Sequence, residues 1–94
     1  MNNEELARLM TEISEGLTQL PDDPKKPLNK EQRKQKYLLQ AKGQALQRIK
    51  DAREKGSQNQ EIRASMDYSL LVEYGDKHPL LMNFMKSQMT WFGL

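Results

Sequence analysis

From Leu6 to Tyr74 the apolar residues recur at steps of three and four, and no segment alternates apolar with polar every second residue. That period belongs to helices that bury one face, and it leaves no strand from which a sheet could start. Leu6, Leu9, Met10, Ile13 and Leu17 mark an amphipathic first helix over about 3–19, opened by Asn2 with Glu5 three residues on. Such a pair signals a helix start because each side chain can bond the other residue's backbone N–H. Asn29 with Gln32 repeats the signal ahead of a long helix over about 30–55, whose apolar positions are Leu38, Ala41, Ala45, Leu46, Ile49 and Ala52. Gly56 supplies a stop, and Ser57 with Gln60 opens a third helix over about 58–74, carrying Ile62, Met66, Leu70, Leu71 and Tyr74. A fourth, apolar helix is expected over about 79–91, with Pro79 in the first turn, where a missing N–H does no harm.

Between the first two helices, Leu20 to Leu28 holds three of the chain's four prolines and reads as a linker over 20–28. The expected fold is all-α, one helical domain over 1–94, built as a small bundle of three or four helices with the long helix at its centre. Hydrophobic residues make up 36% of the chain, low against the roughly 45–50% of ordinary domains. A core this lean leaves the chain marginally stable or completed by association.

Charge is sorted in blocks. Residues 1–24 hold six acids and one base, residues 25–55 eleven bases and three acids, and residues 56–94 three bases and four acids. The blocks carry −5, +8 and −1, so the net +2 conceals a dipolar molecule that either folds its halves together or presents one to a charged partner.

Several chemistries find no residues. With no cysteine, disulfides and thiolate metal sites are excluded, and a single histidine, His78, excludes multi-histidine sites. No phosphate-loop, dinucleotide or zinc-protease motif is present. The expectation is a non-enzymatic protein with no cofactor, no metal and no small-molecule substrate. The acidic start Met-Asn-Asn-Glu-Glu lacks the basic and apolar regions of a signal peptide. The apolar run from Pro79 to Met85 is far short of the roughly 20 residues that span a bilayer. A cytoplasmic protein without a membrane role is expected.

Two segments are candidates for binding. Lys25, Lys26, Lys30, Arg33, Lys34 and Lys36 put six cations in twelve residues against Glu31 alone, a cluster able to neutralise phosphates, with Tyr37 beside it to stack on a base. The competing reading is a solvated face partly neutralised by the acidic first helix, since the cations of 30–55 as a whole scatter around the helix. In the second segment, Leu80, Leu81, Met82, Phe84, Met85, Met89, Trp91 and Phe92 cover more than one face of the fourth helix. Packed on Leu38, Ile49 and Ile62 they would form the core; Met85, Met89, Trp91 and Phe92 are the residues assigned to a protein interface, because pliable Met and anchoring aromatics suit one.

The stretch Gly56-Ser-Gln-Asn-Gln-Glu-Ile62-Arg-Ala-Ser-Met66-Asp-Tyr68-Ser69 resembles the first helix and turn of helix-turn-helix DNA-binding segments. The resemblance implies Ile62 and Met66 as inward packing residues and Ser69 as cap of a recognition helix. It departs from the pattern at Arg63, where alanine is usual, and at Asp67, where the turn has glycine. Leu70 to Gly75 also offers no Arg, Lys, Asn or Gln to read base edges. The reading adopted is a small regulatory, adaptor or assembly protein acting through a protein partner or a second copy of itself. The alternative is a nucleic-acid-binding regulator using the 25–36 cluster, with a degenerate helix-turn-helix at 56–74.

Overall fold

Two side-chain caps and one glycine decide where the helices begin and end. A computed structural model of the chain describes residues 1–21, 25–75 and 77. Helix α1 runs Asn3–Thr18, α2 Lys30–Lys55 and α3 Gln58–Tyr74. At the head of α1 the Glu5 N–H donates to Asn2 Oδ1 at 2.7 Å. At the head of α2 the box is reciprocal: the Gln32 N–H donates to Asn29 Oδ1 at 2.8 Å, and the Asn29 N–H to Gln32 Oε1 at 3.0 Å.

Helix α2 closes on Gly56 at φ 72°, a left-handed conformation that glycine adopts without strain. The Ser57 N–H then donates to the Ala52 carbonyl at 2.9 Å and the Gly56 N–H to that of Arg53 at 3.2 Å. Ser57 is the residue before α3, yet its side chain makes no capping bond. The sequence pattern Ser57–Gln60 therefore does not act as a capping box: with only two residues between the helices, the Ser57 N–H that Gln60 would have met is already closing α2.

The fold is all-α: among the described residues there are three helices and no strand, and the 26-residue α2 is the element on which the others pack. Leu46 and Ile49 on α2 are fully buried with Leu6 and Ile13 of α1 and Ala64 of α3. A second cluster joins Ala41 and Ala45 of α2 to Leu71 of α3, flanked by Tyr37 and Leu38, and Tyr68 packs against both clusters. The alanines keep this side of α2 thin, so α3 approaches closely.

Helix α1 is antiparallel to α2. Asn3 Oδ1 accepts from Arg53 Nη1 at 2.9 Å at one end, and Gly16 lies against Leu39 at the other. Gly43 sits between them: a Cβ there would lie 3.4 Å from Ile13 Cγ2. Gly16 and Gly43 are thus close-approach positions of the α1–α2 crossing. The apolar helix expected over 79–91 lies outside the described residues.

Candidate functional site

Helix α3 carries apolar residues on opposite faces. At 100° per residue, Ala64, Tyr68 and Leu71 share the face turned to α2. Ile62, Met66 and Leu70 share the face turned away, with 51%, 61% and 42% of their surface exposed. They form the floor of a shallow groove of about 440 Å³, with Glu61, Ser65 and Glu73 on its rims. These three side chains therefore do not fill the core, contrary to the expectation from their spacing. The opposite face packs on α2, Ala64 in the cluster of Leu46 and Ile49 and Leu71 on Ala41 and Ala45, and the Ile62 face is left outside.

The same geometry overturns the helix-turn-helix resemblance. Helix α3 continues through Asp67, Tyr68 and Ser69, where that motif would turn, and its supposed inward residues Ile62 and Met66 are exposed. Ser69 caps no separate helix. Arg48 Nη1 instead binds Asp67 Oδ2 at 2.7 Å, fixing the middle of a continuous α3 to α2.

The basic cluster lies at the other end of α2 from the α2–α3 turn. Both α1 and α3 leave α2 at about the same level: α1 ends beyond Gly16 on Leu39, and a Cβ on Gly75 would strike Leu38. The first two turns of α2 extend past that level. Lys26, Lys30, Arg33, Lys34 and Lys36 are exposed there, and among the described residues no acid pairs with any of them. Lys25 is exposed as well. Tyr37 is half-buried against Ala41, Ala45 and Leu71, so its ring faces the α2–α3 seam. The expected neutralisation by acidic α1 does not occur through ion pairs at Lys30, Arg33, Lys34 or Lys36; Glu5, at the far end of α1, faces Arg8 of its own helix at 4.0 Å.

No protein-family model, curated protein or solved structure matches the chain. The surfaces themselves carry the functional argument.

Met85, Met89, Trp91 and Phe92, the residues assigned to a protein interface from sequence, lie outside the described residues. Among the described residues no three acids or histidines gather as a metal site, and no helix is long and apolar enough to cross a membrane. The Tyr68 phenol is pushed above its ordinary value by burial, and further by the negative charges of Glu12 and Glu5. Sequence reading missed the outer face of α3, though one signal was present: Ile62, Met66 and Leu70 fall about 100–200° away from Ala64 and Leu71.

Proposed function

We propose that the chain is a small non-enzymatic adaptor or regulatory protein that works by holding another protein, and that the outer face of α3 receives an amphipathic helix of that partner. The observation that supports this reading is the row Ile62, Met66 and Leu70, three large apolar side chains on successive turns with about half their surface in water. Single exposed apolar residues are ordinary, whereas a continuous row in a groove is a feature of interaction surfaces. Helix-in-groove recognition reads such spacing directly, because a partner helix offers anchors at the same three- and four-residue steps. Met66, at the centre, is pliable enough to adapt to its neighbour. The exposed Glu73 at the rim favours a partner whose apolar stripe is edged with Lys or Arg.

Photo-crosslinkers placed singly at Ile62, Met66 and Leu70 in the native cell test this reading, with exposed Arg8 on α1 as control site. The expected result is one discrete adduct from the three groove positions, lost when Leu70 or Ile62 elsewhere in the groove is changed to Asp, and none from Arg8. An adduct at twice the mass of the chain would assign the groove to a second copy, and adducts independent of position would remove the reading.

A further inference from the structure

Helix α2 places three of its cations where a helix tolerates them least. Its N-terminus is the positive end of the backbone dipole, yet Lys30, Arg33 and Lys34 occupy the first turn and a half, opposed only by Glu31. Lys30 and Lys34 are also like charges four residues apart, an arrangement that weakens a helix. A sequence that breaks local rules with no gain in packing points to a partner supplied from outside.

The geometry of the cluster says what kind of partner. At 100° per residue Lys30, Arg33 and Lys34 fall within an arc of about 100°. They form a stripe on the projecting turns, with Lys26 before them and Lys36 on the flank. The stripe continues the side of α2 that carries Tyr37 and Ala41, so it begins where α3 leaves off. The scatter that argues against a binding face over the whole helix does not apply to these two turns.

Uncharged side chains that could read or stack on bases are not offered beside the stripe, since exposed Gln35 lies about 100° or more round the helix from Lys30, Arg33 and Lys34. Gln32 is engaged in the helix cap, and Tyr37 is packed into the seam rather than offered as a stacking platform. Without an exposed aromatic, the cluster suits the dense phosphate backbone of a duplex better than single-stranded bases. A membrane surface would want apolar side chains interleaved with the cations. Here only Leu28 is available, and it is half-buried in the cleft beside Leu17 and Leu20.

We propose that the projecting N-terminal turns of α2 bind duplex nucleic acid through its phosphates, without sequence preference, using Lys26, Lys30, Arg33 and Lys34. This surface is separate from the α3 groove, so either can fail without the other.

The test is fluorescence anisotropy of the full chain with a mixed-sequence duplex of about 20 base pairs. Four phosphate contacts imply that affinity falls on the order of 100-fold between 50 and 200 mM salt. The variant K30Q/R33Q/K34Q should bind at least tenfold more weakly at 50 mM salt and lower the salt slope by roughly three. The control K50Q/K55Q/R63Q removes the same charge elsewhere and should bind within about threefold of the parent, on the view that contacts rather than net charge dominate. Circular dichroism confirms that both variants fold. Absence of binding at 50 mM salt overturns the proposal, and so does an equal loss in the two variants. Equal affinity and salt slope for phosphatidylserine vesicles would also overturn it, assigning the cluster to anionic surfaces in general.

Discussion

Arg53 Nε donates to Glu61 Oε1 at 2.7 Å, tying the last turn of α2 to the first turn of α3 across the tight Gly56–Ser57 connection. The same guanidinium reaches α1, giving one N–H to Asn3 Oδ1 at 2.9 Å and another to the Met1 carbonyl. One side chain therefore gathers the ends of α1, α2 and α3. Its planar fork of donors suits that task in a way lysine could not match. Both partners of the ion pair are partly shielded, with side-chain exposures of 24% for Arg53 and 31% for Glu61.

Removing the hub should cost more than removing any one spoke. Arg53→Ala is expected to destabilise by about 1.5–3 kcal/mol, because several charge-assisted bonds are lost together. Glu61→Gln, which keeps the shape and one acceptor, should cost less than about 1 kcal/mol. Urea unfolding of the two single variants and the double variant measures this. If the pair is coupled, the double variant loses less than the sum of the singles.

The glycines of the α1–α2 crossing respond differently to a methyl group. At Gly43 the added Cβ makes an ordinary contact with Ile13, and alanine relieves a glycine in mid-helix. Gly43→Ala should therefore stabilise by about 0.5–1 kcal/mol. At Gly16 the Cβ would stand 3.2 Å from Leu39 Cδ1, so that flexible side chain must give a few tenths of an ångström. Gly16→Ala should show little net change, within about 0.5 kcal/mol, the propensity gain offset by the tight contact. Thermal melts of both variants separate the two outcomes, and equal stabilisation would mean the crossing is looser than described.

What was legible in the sequence is what depends on a few adjacent residues. The Asn2 and Asn29 caps and the Gly56 stop each need only residues within one or two turns, and all three are present. The all-α class followed from periodicity alone. The inward face of α3 was not legible, because helical spacing gave it two apolar faces. Which one turned inward was decided by residues distant in sequence: Ala41 and Ala45 accept Leu71, Leu46 and Ile49 cluster with Ala64, and Ile62, Met66 and Leu70 are left outside. The exposure of the basic turns was hidden for the same reason. It follows from the register of α1 on α2, set by Ile13 on Gly43 and Leu39 on Gly16, and no local pattern encodes that register.

The basic turns should trade stability against binding. Replacing Lys30 by Glu removes its like-charge pairing with Arg33 and Lys34, creates attractive pairs at the same spacings, and suits the positive end of α2. Lys30→Glu is expected to stabilise the fold by about 0.5–1 kcal/mol at low salt. The gain should shrink in about 0.5 M salt, where the screening length falls well below the charge spacing. Paired melts at the two salt concentrations check this, and a salt-independent change would mean the residue acts through packing rather than charge.

Tyr68 gives the fold an alkaline limit. Burial, with Glu12 and Glu5 adding to it, raises its phenol above the ordinary value near 10, so the folded chain holds this proton where the unfolded chain has released it. Stability from this group is complete below pH 10 and falls as pH rises past 10, because the unfolded state then binds fewer protons. Tyr68→Phe has no phenol to ionise and should lose less stability than the parent between about pH 9 and 11. The substitution keeps the ring that packs against both core clusters, so the fold at pH 7 should be retained. Urea midpoints of parent and variant across that range make the comparison, and parallel alkaline losses would show that other groups, not Tyr68, set the limit.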